Sequence, residues 1–226
     1  MKFEQKISLI ICAYNEAKNI RKVLDVVAPL DFIDEKIVVD DCSKDKTCEI
    51  VKKYSNVRLL KNKQNGGKGM ALYNGIKHSH HPLLLFLDAD LIGLTEGHIL
   101  ELLGPVAFMK TADLSLGVFN IDKLTTTKIA NRAFPAISGQ RVIWRKNLPP
   151  LAKIKHSRFG VDALITAAVP KERREIVVLH GLTQVIKEEK NDDIWAGIKS
   201  RYKMYEDIVK AIIQIEQAKK KLKRVV

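Results

Sequence analysis

The chain has 226 residues, of which 46% are hydrophobic and 29% are charged, the ordinary composition of a globular domain. It carries 39 lysines and arginines against 26 aspartates and glutamates, so its formal net charge is +13. This composition argues against wholesale disorder, and no apolar run reaches the ~18 residues that a membrane span needs. The charge predicts attraction to polyanions, namely nucleic acid, anionic lipid or phosphorylated substrates, without choosing among them.

Strand and helix patterns alternate over the first half of the chain. Buried apolar runs predict strands at residues 7–12, 36–40, 57–60 and 83–87. Helical spacing predicts helices at residues 16–28, from about 43 or 45 to 54, and at 70–78. Asn15 is a candidate N-cap of the first helix, and Ser43 or Asp45 of the second. This alternation predicts a mainly parallel sheet that binds ligands at the carboxyl ends of its strands.

The pattern is less regular from about residue 91 to 190, where we predict strands at 114–119, 141–146 and 176–179. Apolar residues recur at helical spacing between Ile194 and Ile215, and a basic tail begins at Lys219. The sequence therefore predicts a domain over residues 1–190 followed by a basic amphipathic helix over 191–226. Its apolar side can complete the core or a homodimer interface, and its basic tail can contact an anionic membrane.

Three cysteines, Cys12, Cys42 and Cys48, form no CxxC pair and no zinc-binding spacing. The N-terminal segment lacks the pattern of a secretory signal. We therefore expect a cytoplasmic protein without disulfides. If the protein contacts a membrane, we expect the contact at the inner face. No recognised nucleic-acid-binding motif accompanies the positive charge, so we expect no nucleic-acid partner.

The strongest chemical signal is the pair Asp88 and Asp90, which follows the apolar strand at 83–87. Two carboxylates at a strand end supply the hard oxygen ligands that suit Mg²⁺ or Mn²⁺, usually together with substrate phosphate oxygens. The alternative interpretation is a solvated acidic turn. The pair predicts a metal-assisted phosphate site at this edge of the sheet.

Two further polar segments follow strands. Asp40 and Asp41 end the second strand, where a carboxylate can accept hydrogen bonds from a base or a ribose, or cap the next helix. The loop at 65–69 contains three glycines and Lys68, so its backbone N–H groups and its ammonium suit a diphosphate. A plain turn before a helix would explain the same loop.

In this order, and together with Ala13-Tyr14-Asn15-Glu16 after the first strand, these segments make the chain resemble a family-2 glycosyltransferase of the GT-A fold. The resemblance is strong over about residues 6–95 and weaker at 138–145 and 159–162. It implies an α/β fold with a Rossmann-like, mainly parallel sheet flanked by helices. Residues 1–95 would form the nucleotide-binding half, and residues 96–190 the acceptor half.

The resemblance implies sugar transfer from a nucleotide-sugar donor, with Mg²⁺ or Mn²⁺ as the cofactor, and we expect the donor to be UDP-linked. Tyr14 would stack near the base, Asp41 would hydrogen-bond the base, and Lys68 would approach the ribose or diphosphate. Asp90 would coordinate the metal, helped by His180 or, alternatively, Gln184. The nucleotide-binding residues implied in this way are Ala13, Tyr14, Glu16, Asp41, Lys68 and Asp88.

The segment Ser138-Gly139-Gln140-Arg141 resembles the acceptor loop of dolichyl-phosphate mannose synthase-like enzymes. It implies a small, phosphorylated or lipid-linked acceptor, bound by Ser138, Gly139, Arg141 and Arg145. Arginine suits a bidentate phosphate contact, although Arg145 would equally fit a surface charge. Asp162 and Arg141 are the predicted catalytic residues, Asp162 as the general base of an inverting reaction or, alternatively, only a helix N-cap.

Two other functions fit parts of this pattern. A nucleotidyltransferase shares the fold layout but should carry a glycine-rich basic loop after its first strand, where this chain has residues 13–16. A nucleotide-sugar-binding protein with a decayed catalytic site would be expected to lose the Asp88–Asp90 pair. The sugar, the acceptor and the inverting or retaining outcome stay open.

Overall fold

The computed structural model describes residues 3–120 and 135–185. Seven strands form one sheet, and two short strands pair beside it. The strands are β1 (Ile7–Ala13), β2 (Glu35–Asp40), β3 (Arg58–Lys61), β4 (Leu83–Asp88), β5 (Leu91–Ile92), β6 (Leu114–Phe119), β7 (Arg141–Trp144), β8 (Arg174–Leu179) and β9 (Thr183–Gln184).

The main sheet has the order β3-β2-β1-β4-β7-β6-β8. Its first four strands run parallel, β6 and β8 pair in parallel, and β7 runs antiparallel to both of its neighbours. The mainly parallel sheet predicted from the sequence is thus confirmed. The small β5–β9 sheet is antiparallel and joins the segment after β4 to the segment after β8.

Helices cover both faces of the sheet, as expected for strands that are buried on both sides. They are α1 (Ile20–Val27), α2 (Thr47–Val51), α3 (Lys68–His78), α4 (Glu96–Leu103), α5 (Leu151–His156) and α6 (Val161–Ala167). Apolar side chains of α1, α2 and α4 pack into one core cluster, and those of α3, α5 and α6 into a second. The sheet therefore separates two helical layers.

The first helix begins later than the sequence predicts. Asn15 is not its N-cap: it has a positive φ of 55°, and regular helix starts only at Ile20. The reason is tertiary, because the loop after β1 is hydrogen-bonded to the loop after β2. The backbone N–H of Asn15 donates to Ser43 Oγ at 2.8 Å, and that of Ala17 donates to Asp45 Oδ2 at 2.9 Å.

Other boundaries differ by a few residues. Helix α2 ends at Val51 rather than near residue 54, α3 begins at Lys68 rather than at residue 70, and β7 ends at Trp144. No helix within residues 3–120 and 135–185 is long and apolar enough to cross a bilayer. The amphipathic helix predicted for residues 191–226 lies outside the described residues.

Candidate active site

The predicted donor-site residues meet at the carboxyl ends of β1, β2 and β4. Asp40 is the last residue of β2 and Asp88 the last of β4, while Ala13 ends β1 between them. The register pairs Cys12 with Asp88 and Ala13 with Asp40, so the three strand ends are level with one another. The parallel arrangement therefore brings residues that are distant in sequence to one edge of the sheet.

A chain of alternating charges crosses this edge. Lys68, the first residue of α3, lies between two carboxylates: its Nζ is 2.8 Å from Asp88 Oδ1 and 2.9 Å from Asp162 Oδ2. Burial alone would lower the pKa of the Lys68 ammonium, but Asp162 and Asp88 outweigh burial and hold that pKa above its ordinary value. Lys68 is therefore a fixed cation at neutral pH.

Arg141 extends the chain on the other side of Asp162. Its Nη2 lies 3.0 Å from Asp162 Oδ1, and its Nη1 donates to the carbonyl oxygen of Asp162 at 2.7 Å. The side chain is 0% exposed, and Nη2 also donates to the carbonyl of Ser138. Burial lowers the pKa of this guanidinium, opposed by Asp162 and Asp88. Two cations thus balance the carboxylates of Asp88 and Asp162.

Gln140 is a site residue that the sequence analysis did not select. Its buried amide donates from Nε2 to Asp88 Oδ2 at 2.8 Å, so both oxygens of that carboxylate are engaged. The contact with the Asp88 carboxylate orients the amide, with its NH₂ group toward Asp88 and its Oε1 3.0 Å from Ser138 Oγ. Ser138 is itself fully buried and donates to the carbonyl of Gly117.

Gly139 allows this segment to approach Asp88. A Cβ atom built on Gly139 would lie 2.1 Å from Asp88 Oδ2, far inside van der Waals contact. The predicted Ser138-Gly139-Arg141 segment therefore lies directly against the Asp88–Asp90 motif. Its side chains at 138 and 141 point into the protein, where they support the site instead of facing a ligand.

Replacing Gly139 with alanine is therefore expected to displace the Asp88 carboxylate. Overpacking of this kind costs about 1–3 kcal/mol, and we expect donor affinity to fall about tenfold. Urea unfolding and donor titration would measure the two effects. The matched control is Gly97→Ala on α4, where the new Cβ meets only Thr95 Oγ1 at 3.5 Å. Donor affinity equal in both variants would contradict the assignment of Gly139 to the site.

Asp41 is held by the glycine-rich loop. The backbone N–H groups of Gly66 and Gly67 donate to its carboxylate at 3.0 and 2.7 Å, and Asn62 Nδ2 donates at 2.7 Å. Asp41 therefore anchors the loop that leads into Lys68. The predicted contact between Asp41 and the base stays a prediction. Asn62, which also holds the Asp41 carboxylate, was missed by the sequence analysis because it lies in no recognised motif.

The loop after β1 forms the neighbouring wall. Tyr14 is 44% exposed, as a ring available for stacking would be, and Glu16 is buried. The backbone N–H of Glu16 donates to Thr47 Oγ1 at 2.9 Å, and Glu16 Oε2 accepts from Asn19 at 3.0 Å. These contacts give Glu16 a structural role in the loop, and Tyr14 stays the predicted stacking residue.

Asp90 lies where the small sheet joins the motif. It is 3% exposed, and Gln184 Nε2 donates to its Oδ2 at 3.1 Å. The β5–β9 pairing places Gln184 opposite Leu91. His180, in contrast, is exposed, and its Nδ1 lies 3.0 Å from the amide nitrogen of Asn120. Of the two candidates left open by the sequence, the structure brings Gln184 to Asp90.

The donor atoms at this edge suit a hard divalent cation. Mg²⁺ and Mn²⁺ prefer oxygen ligands, and this edge offers the carboxylate oxygens of Asp90 and Asp88 and the side-chain amide of Gln184. No group of three or more His, Cys, Asp or Glu side chains with metal-binding geometry occurs within the described ranges 3–120 and 135–185. Such a site fits a metal that completes its coordination with water and substrate phosphate.

The structure contradicts the prediction that Arg145 binds the acceptor. Because β7 runs antiparallel to β4, Arg141 lies opposite Phe86 near the motif, whereas Trp144 lies opposite Leu83 at the far end of the sheet. Arg145 follows there. Its guanidinium donates to the carbonyls of His81 and Ile76 and to the hydroxyl of Ser79. Arg145 therefore ties the end of α3 to β7 and is remote from the site.

Comparison with known proteins agrees with this geometry. The model of the family described as "Glycosyl transferase family 2" matches residues 8–161, which is more than half of the chain. The chain is 43% identical over 96 residues to the dolichyl-phosphate beta-glucosyltransferase ALG5C of Trichomonas vaginalis, covering 37% of this chain and 28% of that protein. It is 40% identical over 107 residues to the dolichyl-phosphate beta-glucosyltransferase of Dictyostelium discoideum, covering 40% of this chain and 32% of that protein. These matches span about a third of the relatives' length.

Solved structures show the same fold. Glucosyl-3-phosphoglycerate synthase of Mycobacterium tuberculosis, crystallised with Mn²⁺, UDP and glucosyl-3-phosphoglycerate, superposes with a TM-score of 0.73 at 19% identity. The superposition covers 94% of this chain and 80% of that one. A second crystal structure of the same enzyme contains Mg²⁺ and UDP. The likeness establishes the GT-A architecture of the sheet and its helices.

Proposed function

Because the chain belongs to glycosyl transferase family 2, we propose that it is a metal-dependent glycosyltransferase that uses a nucleotide-sugar donor. The observation that carries the proposal is the ion-pair chain Asp88–Lys68–Asp162–Arg141 beside Asp90, at the carboxyl ends of parallel strands. Such an edge offers a metal ligand and a fixed cation, which can stabilise a departing diphosphate, and it offers a carboxylate in the same site.

On the donor side, Tyr14 offers a ring for stacking on the base, and the loop anchored by Asp41 leads directly to Lys68. A nucleoside diphosphate laid along this edge would bring its phosphates to Lys68. We propose a UDP-linked sugar, in keeping with the UDP found in the structurally similar synthase. Mg²⁺ or Mn²⁺, held by Asp90 with Asp88 and Gln184 beside it, would neutralise the departing diphosphate.

In the reaction, the bond between the anomeric carbon and the diphosphate oxygen breaks, and an acceptor oxygen forms the new bond to that carbon. Lys68 stabilises the negative charge that develops on the diphosphate. A hydroxyl acceptor must also lose a proton, and Asp162 is the carboxylate placed to take it. In the ligand-free site each Asp162 oxygen is ion-paired, one with Lys68 and one with Arg141, so proton transfer to Asp162 would compete with these two ion pairs.

A phosphate acceptor has no proton to lose. A phosphate monoester carries a charge of about −1.5 to −2 at neutral pH, so its oxygen is already a nucleophile and needs no general base. This argument, together with the lipid phosphate named for the relatives, favours a phosphorylated and lipid-linked acceptor. We further propose a cytoplasmic location, since the three cysteines are free thiols.

The test of the proposal is a thermal-shift screen of UDP-glucose, GDP-mannose and dTDP-glucose, each with and without Mn²⁺. A donor at about 100 times its dissociation constant should stabilise the protein by roughly 2.7 kcal/mol. We expect one nucleotide to give a shift that needs the metal. The shift should persist in Arg145→Gln, because Arg145 lies at the other end of the sheet. Absence of a shift with all three donors would argue against the proposed donor site.

A further inference from the structure

Charge is distributed unequally between the two helical layers. The layer of α1, α2 and α4 mixes signs, with exposed carboxylates at Asp25, Glu49, Glu96 and Glu101. The layer of α3, α5 and α6 contains one acidic residue in its helices, Asp162, and that residue is buried and ion-paired. The positive charge of the chain is therefore not compensated on the second layer, as far as its described helices are concerned.

The exposed side of α3 and α5 concentrates this charge. Lys77 and Lys153 are exposed, and the ammonium groups of Lys77 and Lys155 lie 6.0 and 5.6 Å from the centre of the Tyr73 ring. Two like charges near one ring repel each other, and a bound anion would offset this repulsion. Leu151 adds an apolar side chain that is 37% exposed beside them. We call the side chains of Tyr73, Lys77, Leu151, Lys153 and Lys155 the α3–α5 face.

The α3–α5 face is joined rigidly to the active site. A Cβ on Gly69 would lie 2.6 Å from the carbonyl oxygen of Ile154 and 2.8 Å from the backbone nitrogen of Arg158, so the two helices are packed backbone to backbone. Gly69 is the neighbour of Lys68, which bridges Asp88 and Asp162. The α5 part of this face therefore lies beside the start of α3, where the ion-pair chain begins, whereas Lys77 lies near the other end of α3.

We propose that the α3–α5 face docks on an anionic lipid surface. Its lysines, which no acidic residue of the described helices of this layer offsets, match lipid phosphates, and its exposed leucine suits the interface between headgroups and acyl chains. Docking through α5 would hold the start of α3, and with it Lys68, near the membrane, which is where a lipid-linked phosphate acceptor is found. The link to a lipid-linked acceptor rests on the proposed function, whereas the docking itself rests on the charge distribution alone.

The test compares two triple variants of the full chain that change net charge equally. Lys77→Glu/Lys153→Glu/Lys155→Glu alters the α3–α5 face, and Lys22→Glu/Lys52→Glu/Lys53→Glu alters exposed lysines of the other layer. Each protein is sedimented with phosphatidylcholine vesicles containing phosphatidylglycerol, and with vesicles of phosphatidylcholine alone. Because each lysine near an anionic surface contributes roughly a fivefold gain in affinity, we expect the first variant to lose about 100-fold in partitioning and the control to lose less than fivefold.

Equal losses in both variants would overturn the proposal, since net charge or another basic segment would then explain binding. No binding to anionic vesicles by the unaltered protein would overturn it as well. So would a tighter, salt-dependent affinity for duplex DNA that the first variant alone abolishes, because the face would then serve nucleic acid. The thermal shift with donor should be unchanged in both variants. Its absence alongside selective vesicle binding would refute the proposed function and leave the docking face standing.

Discussion

Replacing Asp90 with asparagine is expected to abolish the metal-dependent part of donor binding and to lower turnover about 10³-fold. Asparagine keeps the shape and a carbonyl oxygen that can accept from Gln184, but it removes the charge that would hold the cation. Metal stabilisation of a leaving diphosphate contributes several kcal/mol, and about 4 kcal/mol corresponds to this change in rate. Donor titration with and without Mn²⁺, followed by steady-state kinetics, measures both quantities.

Asp31→Asn is the matched control for this variant, because it removes the same charge from an exposed loop residue. We expect it to leave the donor shift and turnover unchanged. Binding of Mn²⁺ in the absence of donor gives a readout that is independent of activity. It can be monitored by the loss of the electron paramagnetic resonance signal of the free ion. A variant at Asp90 that binds Mn²⁺ and donor as the unaltered chain does would show that the metal is held elsewhere.

Much of the donor half could be predicted because its strands are short apolar runs that end at polar residues. In a parallel sheet every such end lies on the same edge, so Asp41, Lys68 and Asp88 could be placed together without coordinates. The boundary of α1 could not be predicted. Its start is set by hydrogen bonds that the backbone N–H groups of Asn15 and Ala17 donate to Ser43 and Asp45, almost thirty residues away in the sequence.

The acceptor half was harder because its geometry depends on the direction of one strand. Residues 141 and 145 are four apart, which is about 13 Å along an extended chain, so only one of the two arginines can lie at the motif end of β7. The antiparallel placement of β7 sends Arg141 to the site and Arg145 away from it. Gln140 was missed for a different reason: a neutral amide carries no signal in the sequence until its partner, Asp88, is known.

Lys68→Met is expected to be the most destabilising of the substitutions considered. It leaves Asp88 and Asp162 facing each other without the cation that both contact at 2.8–2.9 Å. Removing one partner of a fully buried ion pair costs about 3–5 kcal/mol, and because Lys68 is 19% exposed we expect a loss near the lower end of this range, which urea unfolding would measure. The control, Lys77→Met, removes an exposed lysine from the same helix and should change stability by less than about 0.5 kcal/mol.

The double variant Lys68→Met/Asp162→Asn separates electrostatics from packing. If uncompensated charge is the cause, removing one carboxylate should restore more than half of the lost free energy of unfolding. If the loss comes from the missing side-chain volume, the second substitution should add a further loss, because Arg141 also forfeits its partner.

The pH dependence follows from the raised pKa of Lys68. A lysine whose folded-state pKa exceeds its unfolded value of about 10.4 contributes stability fully below that value, and loses the contribution as pH rises through the folded-state pKa. The free-energy difference between Lys68→Met and the unaltered chain should therefore be the same at pH 6.5 and at pH 9. A difference that shrank over this interval would mean that Lys68 discharges near neutrality, and it could not then act as the fixed cation at the diphosphate.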